Sequence, residues 1–268
     1  MFWQQIPRSF LLEPEAYRPS AWSEHVPFAF WLIETLRPAR LVELGTWHGM
    51  SYLAFCQAIR KFETGTEAFA VDTWQGDAHT GPLADQALAS LKRAHDPLYA
   101  DFSTLLRMDF NDAVGRFEDG SIDLLHIDGL HTYEAVKHDF ETWLPKLSRS
   151  AVVLFHDSQV REKDFGVYRL WAELTQLYPH FEFHHEHGLG VLGVGADRHP
   201  ALESLFASAR QQDEAAQVRG VFERLGRGVR ATQDAAKMRD RWSALIAKFP
   251  VRAAIGLNGA VRRLLGRG

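Results

Sequence analysis

The sequence predicts an α/β fold, in which a doubly wound, mostly parallel β-sheet carries helices on both faces. Short apolar segments alternate five times with segments of helical spacing, and two adjacent strand-like segments then close the pattern. Alternation of strands with helices is typical of a mostly parallel sheet. The closing pair is joined by a turn that contains Gly188, so we expect an antiparallel edge.

Each predicted strand is a short apolar run. The five alternating strands are ARLVEL (39–44), AFAVDT (68–73), FSTLLRMDF (102–110), SIDLLHID (121–128) and SAVVLFHD (150–157). The closing pair is HFEFHHEH (180–187) and LGVLGVG (189–195). Sheets of this kind bind ligands at the carboxyl ends of their strands, so residues at the strand tips are the candidate functional residues.

Apolar residues at helical spacing fill the intervals between the strands. The first helix, 23–36, takes Ser23 as its N-cap and ends before Pro38. The other predicted helices span 49–62, 82–95, 111–117, 132–147 and 165–178.

The chain divides by composition near residue 201. Residues 1–200 form the predicted α/β domain, which begins with a helical segment, 1–38. Residues 201–268 are rich in Ala, Arg and Gln and predict a helical appendage that ends in a basic amphipathic stretch, 251–268. This appendage either packs on the domain or a partner, or docks on a membrane surface or partner through its basic end.

The composition is that of an ordinary globular protein. The 268 residues are 46% hydrophobic and 24% charged, and the net charge of -4 does not favour binding to nucleic acid. The single cysteine, Cys56, excludes an internal disulfide, fits a reducing compartment and is expected to be buried. We find no signal peptide and no apolar run long enough to span a membrane, so we expect a cytoplasmic location, or one at the inner face of the membrane. A homo-oligomer is compatible with these features.

The segment VELGTWHGMS (42–51) predicts a nucleoside site. Gly45 follows a strand and Gly49 opens a helix, so the backbone can turn tightly and offer N–H groups to a ligand. Asp72 ends the second strand, where an acid can accept both hydroxyls of a ribose. The spacing is not G-x-G-x-x-G, which favours a smaller nucleoside ligand over a dinucleotide. The alternative for the two glycines is a tight turn without a ligand.

Carboxylates and histidines gather at the tips of the fourth and fifth strands. The chain has thirteen histidines, and many lie between His126 and His187. Asp128 ends the fourth strand, and His156 and Asp157 end the fifth, so these side chains are expected to be neighbours. Two carboxylates and an imidazole can bind a divalent cation, and the nitrogen ligand favours Mn²⁺ or no metal over Mg²⁺. The alternative is a carboxylate–histidine hydrogen bond that only orients a loop.

His131 is the candidate general base, because a neutral imidazole with a pKa near ~6.5 can take a proton from a hydroxyl. The alternative is a cap for the helix that Thr132 begins. His138 and Asp139 are expected to be surface or packing groups, whereas Tyr133 either stacks on substrate or packs.

Two further segments have open interpretations. Residues 184, 185 and 187 are histidines in a predicted strand, whose alternate residues point to opposite faces, so we expect solvent or substrate-edge positions. The segment 74–83, WQGDAHTGPL, either closes over a cofactor or is an ordinary mobile loop.

Four segments together resemble a known family: VELGTWHGMS, VDTW (71–74), HIDGLHTYEAVKHDF (126–140) and VVLFHDS (152–158). They are similar to motifs of class I S-adenosylmethionine-dependent methyltransferases. The branch they resemble includes macrocin-type sugar O-methyltransferases and methyltransferase modules of surface-glycan assembly. The resemblance covers residues 22–195 and implies a Rossmann-like, seven-stranded sheet whose last strand is antiparallel.

The resemblance also implies roles for individual residues. Asp72 would bind the ribose, Trp74 would lie beside the adenine and Asp109 near its amine. The residues implied to line the methionine and ribose part of the cofactor are Glu43, Gly45, Thr46, Gly49 and Ser51. In metal-dependent relatives the fourth and fifth strand tips bind the cation, which holds two oxygens of a substrate diol. Here Asp128, His156 and Asp157 would do so, although relatives often carry an acid or acid–amide pair where this chain has His156 and Asp157.

The implied function is S-adenosylmethionine-dependent O-methylation of a sugar hydroxyl, in a surface polysaccharide or a glycosylated metabolite. His131 and Asp128 would be catalytic, and Mg²⁺ or Mn²⁺ would assist. Two alternatives remain open. One is a non-catalytic cofactor-binding module of a glycan-assembly complex, and the other is an iron-dependent enzyme similar to proteins associated with cephalosporin hydroxylation.

Overall fold

The computed structural model describes residues 6–18, 20–76 and 84–248, which contain a seven-stranded sheet of order β3-β2-β1-β4-β5-β7-β6. The strands are β1 Arg40–Leu44, β2 Glu67–Asp72, β3 Ser103–Arg107, β4 Ile122–Ile127, β5 Leu147–His156, β6 His180–Phe183 and β7 Leu189–Gly193. Strands β1 to β5 pair in parallel, and β7 runs antiparallel to both β5 and β6. The predicted fold class is confirmed, and β7 lies inside the sheet while β6 forms the edge.

Helices cover both faces of the sheet. They are α1 Val26–Leu36, α2 Met50–Phe62, α3 Ala84–Tyr99, α4 Phe110–Ala113, α5 Tyr133–Trp143, α6 Val167–Leu174, α7 Pro200–Ser208 and α8 Gln212–Lys248. One apolar core joins α1, α2 and α3 to the sheet, and a second core joins α5 and α6 to it. Alternate residues of β5 enter different cores, Val152 and Leu154 the first, Val153 and Phe155 the second. This alternation follows from the two-residue repeat of a strand.

Several predicted boundaries differ from those of the structure, and three of the differences matter here. Ser23 does not cap α1, which begins at Val26 after a short 3-10 turn, and its hydroxyl donates to the carbonyl of Ser20. Helix α3 continues through Pro97 to Tyr99. Strand β6 ends at Phe183, so residues 184–188 form a turn rather than a strand. As expected, Cys56 is buried.

The chain divides into two compact units, and the boundary falls after Val229. Helix α7 and the first part of α8 bury apolar side chains such as Leu202, Phe206 and Phe222 in the first core. The expected division at residue 200 into a catalytic domain and an appendage stays a prediction. The basic stretch 251–268 and residues 77–83 of the loop after β2 lie outside the described residues. Within the described part of the chain, no helix is both long and apolar enough to cross a bilayer.

Candidate functional site

The strand order reverses between β1 and β4, and a cavity of about 250 Å³ opens there at the carboxyl ends of the strands. Ligands bind at this position in open α/β sheets. The residues that line the cavity are Gly45, Trp47, Asp72, Thr73, Gly76, Asp109, Phe110, Asp128, Gly129, Leu130 and His131. The cavity therefore joins the predicted nucleoside site to the predicted catalytic residues.

Gly45 makes the close contact between the loops that follow β1 and β4. Its N–H donates to the carbonyl of Val71, and its φ of +87° lies in the left-handed region. A Cβ at this position would stand 2.2 Å from the carbonyl oxygen of Asp128. Because a side chain has no room here, the residue must be glycine, as the sequence pattern indicates.

Asp72 is fixed at the tip of β2 by two backbone N–H groups. Its Oδ2 accepts from Trp47 at 2.8 Å, and its Oδ1 accepts from Trp74 at 2.6 Å. The side chain lines the cavity, so it has the position that the predicted ribose contact requires.

Trp74 lies in the first core, fully buried, and its indole N–H donates to the carbonyl of Trp47 at 2.9 Å. The cavity is lined instead by Trp47, which the sequence analysis did not select. Both residues follow a strand tip, so the sequence alone offered no signal to separate them. The expected contact of Trp74 with an adenine is thus without support, and Trp47 is the better candidate.

Glu43 belongs to a buried hydrogen-bond chain behind the cavity. The Trp22 indole N–H donates to His126 Nε2 at 3.2 Å, and His126 Nδ1 lies 2.8 Å from Glu43 Oε2. Since an indole only donates, Nε2 of His126 carries no proton, and Nδ1–H is the donor to the carboxylate. Glu43 Oε1 is buried without a partner among the described residues. Glu43 does not line the cavity, and its predicted contact with a cofactor stays a prediction.

The other predicted cofactor residues fall into two groups. Asp109 lines the cavity, and its Oδ1 caps α4 by accepting from the N–H of Asn111 at 2.8 Å. Thr46, Gly49 and Ser51 do not line it, and the buried hydroxyl of Thr46 has no partner among the described residues. Gly49 adopts a left-handed conformation at the start of α2, with a φ of +80°.

Four ionisable groups meet at the tips of β4 and β5, as predicted. His131 Nε2 lies 2.8 Å from Asp157 Oδ2 and 3.4 Å from Asp128 Oδ1. His156 Nδ1 lies 3.2 Å from Asp128 Oδ1 and 3.3 Å from Asp157 Oδ2. Asp157 has a φ of +60°, a left-handed conformation that turns its carboxylate back toward Asp128. We call Asp128, His131, His156 and Asp157 the carboxylate–histidine cluster.

The charge state of His131 differs from the expected one. Burial opposes a positive charge on this imidazole, but its hydrogen bonds to Asp128 and Asp157 outweigh burial and raise its pKa to about 9. Burial likewise opposes the negative charges, but His156 and His131 lower the pKa of Asp128 and hold that of Asp157 well below its usual range. The expectation of a neutral base with a pKa near ~6.5 was wrong, because the sequence does not show that two carboxylates share one imidazole nitrogen.

The predicted cation ligands Asp128, His156 and Asp157 stay a prediction, and the geometry offers a second set. The side chains whose ligand atoms all lie within 4.8 Å of one another are Asp128, His131 and Asp157, so His131 stands where His156 was expected. His156 directs Nδ1 to the two carboxylates, while its Nε2 is buried without a partner among the described residues. His156 thus contacts both carboxylates, which is compatible with a cation ligand and with the alternative of a hydrogen bond that only orients a loop.

His187, for which the sequence predicts a solvent or substrate-edge position, contacts the carboxylate–histidine cluster. Its Nδ1 lies 2.9 Å from Asp157 Oδ1, and that hydrogen bond raises the pKa of the half-exposed imidazole. The turn 184–188 places His187 beside Asp157, and its backbone has a φ of +66° at His187 and +88° at Gly188. The glycine after the histidine run was the available signal for a turn. His185 of the same turn has a different neighbour, because its ring contacts that of His25, with the centroids 4.5 Å apart and the planes tilted by 32°.

Tyr133 and His138, two residues of α5, have partners outside the cavity. Tyr133 donates its hydroxyl to Glu173 at 2.9 Å, and Arg169 lies over its ring at 4.4 Å. His138 Nε2 lies 2.6 Å from Asn111 Oδ1 at the surface. Tyr133 therefore packs, and His138 is a surface group.

Asp139, expected at the surface or in packing contacts, is buried next to Gly129. Burial and the nearby charge of Asp109 raise its pKa from 3.8 to about 7. A carboxyl whose pKa is raised on folding destabilises the protein increasingly as the pH rises from about 4 to about 7, and fully above that.

We therefore expect Asp139→Asn, which removes the charge, to stabilise the protein more at pH 8 than at pH 5. The difference should be about 2–3 kcal/mol in the free energy of unfolding. Denaturant unfolding at the two pH values measures it. Equal effects at both values would show that Asp139 titrates normally.

Comparison with known proteins agrees with this geometry. Residues 42–158 match the family model described as a methyltransferase domain. An uncharacterized protein of Sinorhizobium fredii, y4gI, is 50% identical over 188 residues, which is 70% of this chain. Those residues make up 21% of that relative, so the chain spans about a fifth of its length.

Two solved structures are also similar to this chain. One from Staphylococcus aureus, described provisionally as a caffeoyl-CoA O-methyltransferase, is 14% identical and covers 68% of this chain and 85% of its own, with a TM-score of 0.50. A methyltransferase from Geobacter sulfurreducens is 16% identical and covers 67% of this chain and 80% of its own, with a TM-score of 0.47. Residues 42–158 are thus similar to a methyltransferase domain, and the sheet order and the cavity at the switch point are compatible with that similarity.

Proposed function

We propose that this domain transfers a methyl group from S-adenosylmethionine to a hydroxyl of a sugar, in a surface polysaccharide or a glycosylated metabolite. One observation carries the proposal. A single cavity extends from Asp72, the acid suited to a ribose, to Asp128 and His131, the groups suited to handle a hydroxyl proton. A nucleoside cofactor and an acceptor hydroxyl can therefore meet in one space.

Two features of the cavity support S-adenosylmethionine as its ligand. Asp72 is held by backbone N–H groups and turned to the cavity, and Gly45 lets the backbone approach a ligand closely. When bound, the cofactor supplies an electrophilic methyl group, and the protein supplies position and proton transfer.

The carboxylate–histidine cluster suits an acceptor with adjacent hydroxyls. Asp128, His131 and Asp157 present two carboxylates and one imidazole, a donor set that accommodates Mg²⁺ or Mn²⁺. A divalent cation held there would orient two neighbouring oxygens and acidify one of them. Sugars commonly present such a pair of hydroxyls, which supports the proposed substrate class.

His131 Nε2 is the proposed site of proton transfer, with Asp128 and Asp157 compensating the charge. Its pKa of about 9 means that it carries a proton at neutral pH and must lose it before it can accept another. With His131 as the base, rapid methyl transfer therefore requires high pH. A cation on Nε2 would occupy the lone pair that accepts the proton, so the acceptor hydroxyl would then lose its proton because the cation acidifies it.

We expect the turnover of the chelated enzyme to rise with pH through about 9, not near ~6.5, if His131 is the base. Added Mg²⁺ or Mn²⁺ should give an ascending limb at lower pH, because a cation that replaces the proton on Nε2 would acidify the acceptor hydroxyl itself. The measurement is a pH–rate profile of methyl transfer to candidate glycans, with and without cation. His131→Gln should lose the limb and about 10²–10⁴ of turnover while keeping cofactor affinity. A pH–rate profile that is unchanged in His131→Gln would show that His131 is not the base.

A further inference from the structure

The helix that forms the described part of the second unit, residues 230–248, exposes an apolar stripe. Met238, Trp242, Leu245 and Ile246 are each between 48% and 61% exposed. At about 100° per residue these four side chains fall within an arc of about 100° on one side of the helix. The described residues contain nine exposed large apolar side chains, and four of them form this stripe, whereas the others are scattered over the main unit.

Basic side chains border the stripe. By the same helical spacing, Arg239 follows Ile246 at one margin, and Arg241 lies beside Leu245 at the other. An apolar face that contains tryptophan and is bordered by arginines has the composition of a helix that lies in a membrane interface.

The net charges of the two units differ in sign. Residues 230–268 carry nine Lys and Arg side chains against two Asp, a net charge of +7, whereas residues 1–229 carry 21 against 32, a net charge of -11. A strongly basic unit attached to an acidic domain is attracted to anionic surfaces, and the attraction orients the domain away from them.

We propose that the stripe and its basic margins dock on an anionic lipid bilayer. A bilayer receives the apolar side chains and provides anionic headgroups for the arginines at the same time. Parallel pairing with a second copy of the helix is less suitable, because two units of net charge +7 repel each other and the stripe covers little more than two turns.

Vesicle flotation of the full chain tests the proposal. The chain should bind vesicles of equal parts phosphatidylcholine and phosphatidylglycerol, bind vesicles of phosphatidylcholine alone weakly, and lose affinity as salt is added. Arg239→Gln with Arg241→Gln should weaken binding by about 25-fold, at about fivefold for each charge. Leu245→Ser with Ile246→Ser should weaken it by at least about tenfold.

Matched changes in the main unit serve as controls. Lys92→Gln with Arg116→Gln removes the same charge, and Leu177→Ser removes an apolar side chain that is 73% exposed. Neither control should change vesicle binding, and circular dichroism should show unchanged helix content in all variants. Vesicle binding that is absent, insensitive to lipid charge, or equal in the stripe variants and controls would overturn the proposal. So would sedimentation showing a dimer that the Leu245→Ser, Ile246→Ser variant dissociates while vesicles remain unbound, since the stripe would then serve a second copy.

Discussion

Gly45→Ala is expected to abolish tight cofactor binding and to destabilise the domain. The new methyl group would stand 2.2 Å from the carbonyl oxygen of Asp128 and 2.8 Å from the Cα of Gly129, in a backbone conformation with a φ of +87°. Both obstacles are backbone atoms, so the loops after β1 and β4 must separate. The conformational and steric costs together should lower the free energy of unfolding by about 2–5 kcal/mol. Displaced cavity walls should weaken S-adenosylhomocysteine binding by about 100-fold.

Gly65→Ala is the matched control for this change. Gly65 has a φ of +74°, but no atom lies within 4 Å of the Cβ that alanine would add. It should show only the cost of the left-handed conformation, about 1–2 kcal/mol, and bind the cofactor normally. Thermal unfolding gives the stabilities, and calorimetry below both melting temperatures gives the affinities. A Gly45→Ala protein with the affinity of Gly65→Ala would contradict the close approach of the two loops.

Asp157→Asn is the second change with a large expected effect. The carboxylate of Asp157 is buried among three imidazoles, with contacts of 2.8 Å to His131, 2.9 Å to His187 and 3.3 Å to His156. The amide keeps the size of the side chain but removes the charge that these imidazoles neutralise. Loss of one partner from a buried ion pair costs about 3–5 kcal/mol of stability. Turnover should fall by about 100-fold or more, because the cluster loses its central charge.

The pH dependence of stability distinguishes loss of the Asp157 charge from simple loss of packing. The pKa of His131 rises on folding from 6.5 to about 9, so its contribution of about 3 kcal/mol is complete below about pH 6.5 and is lost as the pH rises through about 9. In Asp157→Asn the pKa of His131 should return toward its ordinary value, and the decrease in melting temperature between pH 7 and pH 9.5 should shrink. Asp119→Asn, which alters an exposed ion pair with Lys146, is the control. An unchanged pH dependence in Asp157→Asn would show that His131 is not held by this carboxylate.

The sequence was sufficient to predict the sheet and the meeting of its tips. Alternating strands and helices predict a parallel sheet, and the tips of β4 and β5 then bring Asp128, His156 and Asp157 together. The glycine of the β1 loop was also identifiable, because a close turn after a strand favours that residue. These features depend on local patterns and on connections between successive elements.

The rest depends on contacts that local patterns do not encode. His187 contacts Asp157 from the turn between β6 and β7. The sequence did not show where β6 ends, because the histidines that follow Phe183 continued the pattern expected of a strand. Whether Trp47 or Trp74 lines the cavity depends on which of the two indoles packs in the core. The charge state of His131 requires the positions of two carboxylates, and the exposure of Trp242 requires knowing which face of a long helix is uncovered.

The most direct test of a cofactor site between Gly45 and Asp72 is calorimetry of S-adenosylhomocysteine with the wild type and with Asp72→Asn. Asp72→Asn removes the charged acceptor at the tip of β2, and Asp85→Asn, in an exposed pair with Arg107, is the control. We expect the wild type and Asp85→Asn to bind equally, and Asp72→Asn to bind about 10- to 100-fold more weakly, since a hydrogen bond to a charged group contributes ~1.5–3 kcal/mol. Absence of binding to the wild type, or equal affinity in all three proteins, would contradict the assignment of this cavity as the cofactor site.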